Sequence, residues 1–272
     1  VAQDIEALRT QLWNYYTEHG RHDLPWRVAE VNGQFDSYKI LVSELMLQQT
    51  QVPRVISKFN EFIAAFPTFK ALAAAELADV LRAWSGLGYN RRAKFLWQTA
   101  QAVAERYNGE LPQTREVLMQ LPGIGPNTAG AILAYAFDRP AVFVETNIRS
   151  VFIHHFFVEQ EKVADKEIVA VLEQLLAAEL SPREFYWALM DYGTFLKQTS
   201  GNAARRSAGY TQQSTFNGSR RQVRGKVLRA LHAHAKTFAE LAAEIDDERL
   251  QSVLDDLCSE GMITRQNDKY QL

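Results

Sequence analysis

Glu44 stands in SELMLQQTQ (43–51), a stretch that is apolar and almost uncharged. Ile40, Leu41, Leu45 and Leu47 surround it, and Lys39, five positions back, is the nearest base. A carboxylate stripped of water holds its proton to higher pH, which is what a general acid working near neutrality needs. The same residue also fits a helix carboxylate that simply reaches solvent or pairs with Lys39. Gln48, Gln49 and Gln51 follow directly. They are uncharged hydrogen-bonding groups, suited to probing base edges or filling a gap in a duplex. A second acid, Glu145, closes a short apolar run in VFVETNIRS (142–150). An acid at the start of a helix is electrostatically favoured, so Glu145 or Thr146 fits a plain cap. It also fits a second carboxylate facing Glu44, since two carboxylates in different surroundings divide acid work from charge stabilisation.

LPGIGPNTAG (121–130) is the most specific local pattern. A helix ends near Gln120, a glycine-rich hairpin follows, and a new helix starts near Pro126. Gly123 and Gly125 allow a tight turn and expose backbone N–H groups, which together with the positive end of the next helix form a seat for phosphate. Asn127 and Thr128 add polar groups at the same end. Such a clamp fixes position on a DNA backbone and reads no sequence. WSGLGYNRRAK (84–94) places Tyr89 on a glycine loop before Arg91, Arg92 and Lys94. An aromatic beside bases suits a wedge next to a distorted duplex, and a solvated helix start fits equally.

Charge is unevenly distributed. The 272 residues carry a net charge of -2, yet residues 192–239 hold nine bases, Arg205, Arg206 and Arg221 among them, and no acid. Residues 240–272 are -6 and residues 1–191 are -5. A polyanion feels the local field more than the total. One cysteine, Cys258, leaves no internal disulfide and no multi-cysteine metal site. His22, His154, His155, His232 and His234 have no metal-ligand spacing, so no metal is expected. No apolar run approaches a membrane span, and the N-terminus has no leader pattern. The expectation is a cytoplasmic, nucleoid-associated, prokaryotic-type protein with no membrane partner, most simply a monomer.

The elements that must position these groups read as helices. Apolar residues recur at helical spacing over 5–18, 38–50, 52–65, 75–83, 90–107, 114–120, 126–136, 147–157, 166–178 and 182–197. Gly and Pro punctuate them, and no strand train appears, which predicts an all-α domain. Residues 201–218 read as a basic, polar linker. Residues 219–272 predict three helices, over 221–233, 238–244 and about 247–260, and a terminal hairpin with Asn267 and Asp268 at its tip, a winged-helix-like unit. The third of those helices is strongly acidic, which opposes its entry into a DNA groove and favours a contact with the main domain or a protein partner.

Taken together, GRHDLPWR (20–27), SELMLQQTQV (43–52), WSGLGYNRRAK (84–94), LPGIGPNTAGAIL (121–133), ETN (145–147) and ALMDYG (188–193) resemble the helix–hairpin–helix DNA glycosylase superfamily. Within it the match is closest to the enzymes that remove adenine mispaired with 8-oxoguanine. The resemblance implies a two-lobed fold: a six-helix barrel over 30–136, a second helical lobe from 1–29 and 137–200, and the C-terminal domain over 219–272. It implies that Glu44 protonates the departing purine and helps position water. Glu145 falls where the family has an aspartate that steadies positive charge on the sugar. Arg27, Gln48, Gln49, Tyr89 and Asn127 fall among groups that recognise base and duplex, with Gln49 near the opposite base and Tyr89 intercalated. Gly123, Gly125, Thr128, Arg91, Arg92, Arg205 and Arg206 are assigned to the DNA backbone. Asn127 stands where lyase-competent relatives carry a lysine, so a Schiff base is not expected there. The chain departs from the family in three ways. The four-cysteine iron–sulfur cluster has no ligands here. The extra methylene of Glu145 shifts a carboxylate by about 1 Å, enough to change a rate about 10²-fold. The C-terminal domain is unlike the larger one that senses 8-oxoguanine. The implied function is base excision repair on double-stranded DNA, most simply of adenine opposite 8-oxoguanine or guanine. Another lesion or mismatch (T:G or U:G) and a non-catalytic DNA-binding module remain alternatives. The one cofactor left open is a monovalent cation at the 121–130 hairpin when DNA is bound.

Overall fold

A computed structural model describes residues 2–272. In chain order the helices are α1 (Ala2–His19), α2 (Ser37–Leu47), α3 (Val52–Ala65), α4 (Phe69–Ala73), α5 (Leu77–Ala83), α6 (Arg91–Arg106) and α7 (Arg115–Leu118). They continue as α8 (Pro126–Phe137), α9 (Thr146–Phe156), α10 (Asp165–Leu176), α11 (Pro182–Thr199), α12 (Arg220–Ala230), α13 (Phe238–Glu244) and α14 (Leu250–Ser259). A short 3-10 turn covers Ala203–Arg206, and the strands are β1 (Lys236–Thr237), β2 (Thr264–Gln266) and β3 (Lys269–Gln271). The fold is all-α apart from this small sheet. None of the described helices is long and apolar enough to cross a membrane.

The chain forms two compact units. The first comprises residues 1–44, 113–120 and 124–212; the second comprises 45–112, 121–123 and 213–272. In the first, α11 packs against α1, α8 and α9. Its core joins Leu8 and Leu12 of α1, Ile148 and Phe152 of α9, and Phe185, Tyr186 and Leu189 of α11, all nearly inaccessible. Tyr186 stacks on Phe143 at 4.0 Å and donates its hydroxyl to the Ala141 carbonyl at 2.8 Å. Small residues make the close contacts possible. Gly193 of α11 lies against the α9 backbone, where a Cβ would sit 2.5 Å from the Asn147 carbonyl oxygen.

Residues 201–212 belong to this first unit and are held by defined contacts. Val163 pairs with Ser207 in a parallel bridge. Arg206 donates to the carbonyls of Ile153, Phe157, Val158 and Gln160 at the end of α9. Arg206, expected at the DNA backbone, instead closes the open carbonyls of a helix C-terminus, where a guanidinium is favoured by both hydrogen bonding and the helix dipole.

In the second unit α6 packs on α4 and α5, around Phe62, Leu72, Val80, Trp84, Leu96 and Val103. The C-terminal residues have their own small core of Val223, Val227, Leu241, Val253, Leu254 and Leu257. β3 is the centre of an antiparallel sheet, with β1 and β2 on its two sides. Asn267 and Asp268 both have positive φ at the β2–β3 turn, as a two-residue hairpin requires. Asp256 of α14 and Glu260, just past its end, engage α12 and α6. Glu260 accepts from Arg224 and Arg91, each at 2.5 Å, and Asp256 accepts from Arg220 at 2.6 Å. Arg82 of α5 adds a bond to the His232 carbonyl at 2.9 Å.

Three local differences from the sequence expectation have physical reasons. The second helix stops at Leu47 rather than running to 50, because Gln49 takes a left-handed φ of 56°. The last helix begins at Leu250, after Asp247 has been tied to the Arg249 guanidinium and backbone. α4 and β1 are too short to leave a periodic pattern. A Gly193→Ala variant tests the α9–α11 contact: overpacking against backbone should cost about 1–3 kcal/mol in urea unfolding, whereas an unchanged midpoint would show the two helices can move apart freely.

Candidate active site

Four side chains of the first unit share one electrostatic neighbourhood: Glu44, Glu145, Tyr135 and Arg27. Glu44 occupies the inner part of α2, between the fully buried Leu41 and Leu45. Glu145 is the residue immediately before α9, in extended conformation with φ -105°. Tyr135 projects from α8 and is 4 % exposed. Both carboxylates are half-buried. Burial pushes the Glu44 carboxyl well above its ordinary 4.5, the nearby negative charge of Glu145 pushes it further, and Arg27 only partly opposes them. Glu145 is also raised by burial, but Arg149 pulls it back. Tyr135 is driven far up by burial and by both carboxylates, so its hydroxyl stays protonated.

The two acids are therefore unequal members of a coupled pair, which titrates as a unit. Glu44 keeps the shared proton more readily. Glu145 has a nearby guanidinium and sits at the positive end of an eleven-residue helix, both of which favour its anion. Asn127, on the first turn of α8, donates from Nδ2 to the Val144 carbonyl at 3.2 Å and so fixes the strand that ends in Glu145. Asn147, on the first turn of α9, accepts from Lys197 Nζ at 2.7 Å.

Arg27 is positioned by a residue that sequence reasoning missed. Asp191 of α11 is 3 % exposed. It receives Arg27 Nη1 at 2.8 Å and Nη2 at 3.0 Å, the Arg21 backbone N–H at 2.8 Å, and the Arg21 guanidinium. Burial alone would raise the Asp191 carboxyl, but Arg27 and Arg21 outweigh it and hold it below the usual range. This pair fastens the loop of GRHDLPWR to ALMDYG. Arg27 Nε is buried and has no hydrogen-bond partner, a donor left over after Asp191 has taken the rest of the fork. The signal was present in the sequence: an acid amid apolar and aromatic neighbours, the same pattern that marks Glu44. Tyr135 carried no comparable signal, because a tyrosine in a small-residue helix reads as core.

The hairpin residues adopt the conformations their types require. Gly123 has φ +75°, and a Cβ there would lie 2.7 Å from Phe95. Gly125 is extended and precedes Pro126 at the first turn of α8. Thr128, on the same turn, is half-buried.

The wedge candidates belong to the second unit. Gln49 and Tyr89 both have left-handed backbones, φ 56° and 48°, which costs about 1–2 kcal/mol per non-glycine residue. The two residues stand in neighbouring loops of this unit. Gln48 is half-buried and Gln49 exposed. Arg92, expected at the DNA backbone, is 6 % exposed. It donates to the carbonyls of Leu45, Met46, Gln48, Leu87, Gly88 and Tyr89 and to the Thr50 hydroxyl. Burial drags its pKa down to about 10, and no donor remains for phosphate. It fixes both loops from beneath. Arg91 faces outward and is paired with Glu260. Arg205 is exposed. Among the described residues no cluster of His, Cys, Asp or Glu is arranged to hold a metal ion.

Residues 42–177 match the model of the HhH-GPD superfamily base excision DNA repair proteins. The chain belongs to this superfamily. It is 32% identical to an adenine DNA glycosylase of Mycolicibacterium smegmatis over 95% of this chain and 93% of that protein. It is 34% identical to the adenine DNA glycosylase of Mycobacterium tuberculosis over 95% of this chain and 91% of that one. Among solved structures it is similar to a thermostable thymine-DNA glycosylase, with a TM-score of 0.62 and 25% identity over 71% of this chain and 87% of that one.

The pair has a pH signature. A carboxyl whose folded pKa lies above its unfolded value stabilises the fold relatively at low pH, and that contribution is lost as pH rises through the folded pKa. Glu44→Gln should therefore raise the melting temperature above about pH 5, increasingly toward neutrality, and leave it unchanged near pH 3. A melting temperature that falls at pH 7 in this variant would mean that Glu44 is ionised and paired.

Proposed function

We propose that the protein is a monofunctional DNA glycosylase of base excision repair that removes adenine mispaired with 8-oxoguanine or guanine. The observation that carries the reading is the coupled pair Glu44 and Glu145, with the proton biased to Glu44 and the anion to Glu145 at the start of α9. The partner is DNA. The target nucleotide leaves the stack, because its glycosidic bond is out of reach inside a duplex. Glu44 donates its proton to the purine ring, and the bond between C1′ and N9 breaks with its electron pair leaving on the base. The Glu145 carboxylate faces the positive charge that develops on the deoxyribose. Water then adds to C1′ and gives a proton back to Glu44, which restores the acid and leaves an abasic site. Asn127 offers an amide where a lyase needs an amine, so no Schiff base forms at that position. Every step uses groups of this chain alone, and a monomer is sufficient.

Adenine is favoured by relatives that carry that name and align along nearly the whole chain. Single-turnover cleavage of A:8-oxoguanine, A:G, T:G and U:G duplexes at fixed salt tests it. Excision of adenine, abolished in Glu44→Gln and retained in Glu145→Asp, is the expected result. Cleavage of T:G or U:G alone would reassign the substrate. No cleavage above the Glu44→Gln control would end the enzymatic reading.

A further inference from the structure

Tyr135 is a buried titratable group that the proton transfers proposed above leave unused. It lies in the last turn of α8, where its carbonyl accepts from Arg183 Nε at 2.6 Å. Its ring is clamped within the first unit. Trp187 of α11 stacks on it, with ring centres 5.9 Å apart and planes 13° from parallel. Phe143, two residues before Glu145, meets it edge-on at 6.0 Å. The Arg27 guanidinium lies 5.3 Å from the centre of the same Trp187 ring. The phenol is thus held in one orientation between α11 and the segment that ends in Glu145.

Its hydroxyl is free. Among the described residues it has no hydrogen-bond partner, and it is not sealed, because Arg27 Nε is the one sealed side-chain polar atom that lacks a partner. The carboxylates of Glu44 and Glu145 also receive no hydrogen bond from the described residues. The other donors around the pair are engaged elsewhere. Arg27 gives Nη1 and Nη2 to Asp191. Arg149 gives Nε and Nη2 to Asp165 at 2.8 and 2.6 Å. Tyr186 donates to the Ala141 carbonyl and Asn127 to the Val144 carbonyl. Arg27, Arg149 and Tyr186 are, with the two acids, the charged and titratable groups that act on the pair and on Tyr135.

An acid pair most needs a donor at the moment of reaction. When Glu44 passes its proton to the purine it becomes an anion beside the Glu145 anion, and like charges then face each other partly out of water. A neutral donor in a fixed place relieves that charge without itself ionising. Burial and both carboxylates keep the Tyr135 proton in place, so the phenol offers a hydrogen bond and gives up no proton. We propose that Tyr135 is a positioning residue for excision, whose hydroxyl donates a hydrogen bond to the Glu44 and Glu145 pair and stabilises the state in which both are charged. The proposal rests on the glycosylase reading given above and adds a member from α8 to its machinery.

Tyr135→Phe keeps the ring and its aromatic contacts and removes only the donor. The carboxyl carbons of carbon-13 glutamate in the full-length, DNA-free protein are followed through a pH titration by NMR. Glu44 and Glu145 are assigned by the signals lost in Glu44→Gln and Glu145→Gln. Loss of a donor disfavours the anion, so Tyr135→Phe should move the titration of the pair to higher pH, an acid dissociation constant about tenfold lower. Single-turnover excision of adenine from an A:G duplex should slow about tenfold near neutrality, with duplex affinity unchanged within about twofold. The pH of fastest excision should rise with the titration. An unchanged titration overturns the proposal. So does a rate that falls equally at every pH, or a loss confined to duplex affinity, the marks of a ring that only shapes the site. The titration needs no substrate: if it moves while the wild type leaves adenine in place, the adenine reading fails and the donor bond stands.

Discussion

Everything in the first unit answers to one electrostatic constraint: two carboxylates, Glu44 and Glu145, are drawn partly out of water and into each other's field. Such a pair is unfavourable for folding, because burial and like charge both act against ionisation. It persists because its surroundings are fixed by stronger contacts. Arg27 brings positive charge, and Asp191 holds Arg27 in turn. Breaking a buried pair of that kind costs about 3–5 kcal/mol. The loop carrying LPWR, helix α11 and the start of α9 are therefore parts of one support, although they lie far apart in sequence.

The second unit shows a different solution. Its candidate contacts with DNA sit on loops, and loops are held by what lies beneath them. Arg92 collects carbonyls from two of them at once, so the left-handed conformations of Gln49 and Tyr89 rest on a rigid base. The C-terminal helices join the same unit through Glu260, which takes both Arg91 and Arg224. Asp256 in α14 and Glu260 just past its end serve as internal partners for arginines, so these acids are neutralised within the fold.

Much of this was legible in the residues. Helical spacing, Gly and Pro punctuation and the LPGIGPNTAG hairpin placed most of the long helices within a few positions. An apolar setting was enough to single out Glu44. What escaped was whatever depends on tertiary partners. Arg91 and Arg92 are adjacent and chemically identical, yet one faces outward and the other is buried under two loops. Half of the carbonyls that bury Arg92 come from residues 45–48, which only the folded chain brings to it. Arg206 escaped for the same reason, as its acceptors lie about fifty residues earlier. Asp191 was visible as an acid in an apolar helix, but its value lies in Arg21 and Arg27, which only the folded chain brings to it.

Arg92 has a consequence for how such a protein diversifies. A guanidinium in contact with six main-chain carbonyls recognises backbone and is indifferent to the side chains that backbone carries. The tips of both loops are thereby uncoupled from their foundations. Mutation can rewrite the residues at those tips, one at a time, without collapsing the platform that presents them. The foundation itself is unforgiving, since lysine has three donors on a single nitrogen and cannot span the same set of oxygens. Innovation at the rim and immobility at the root are thus two faces of a single side chain.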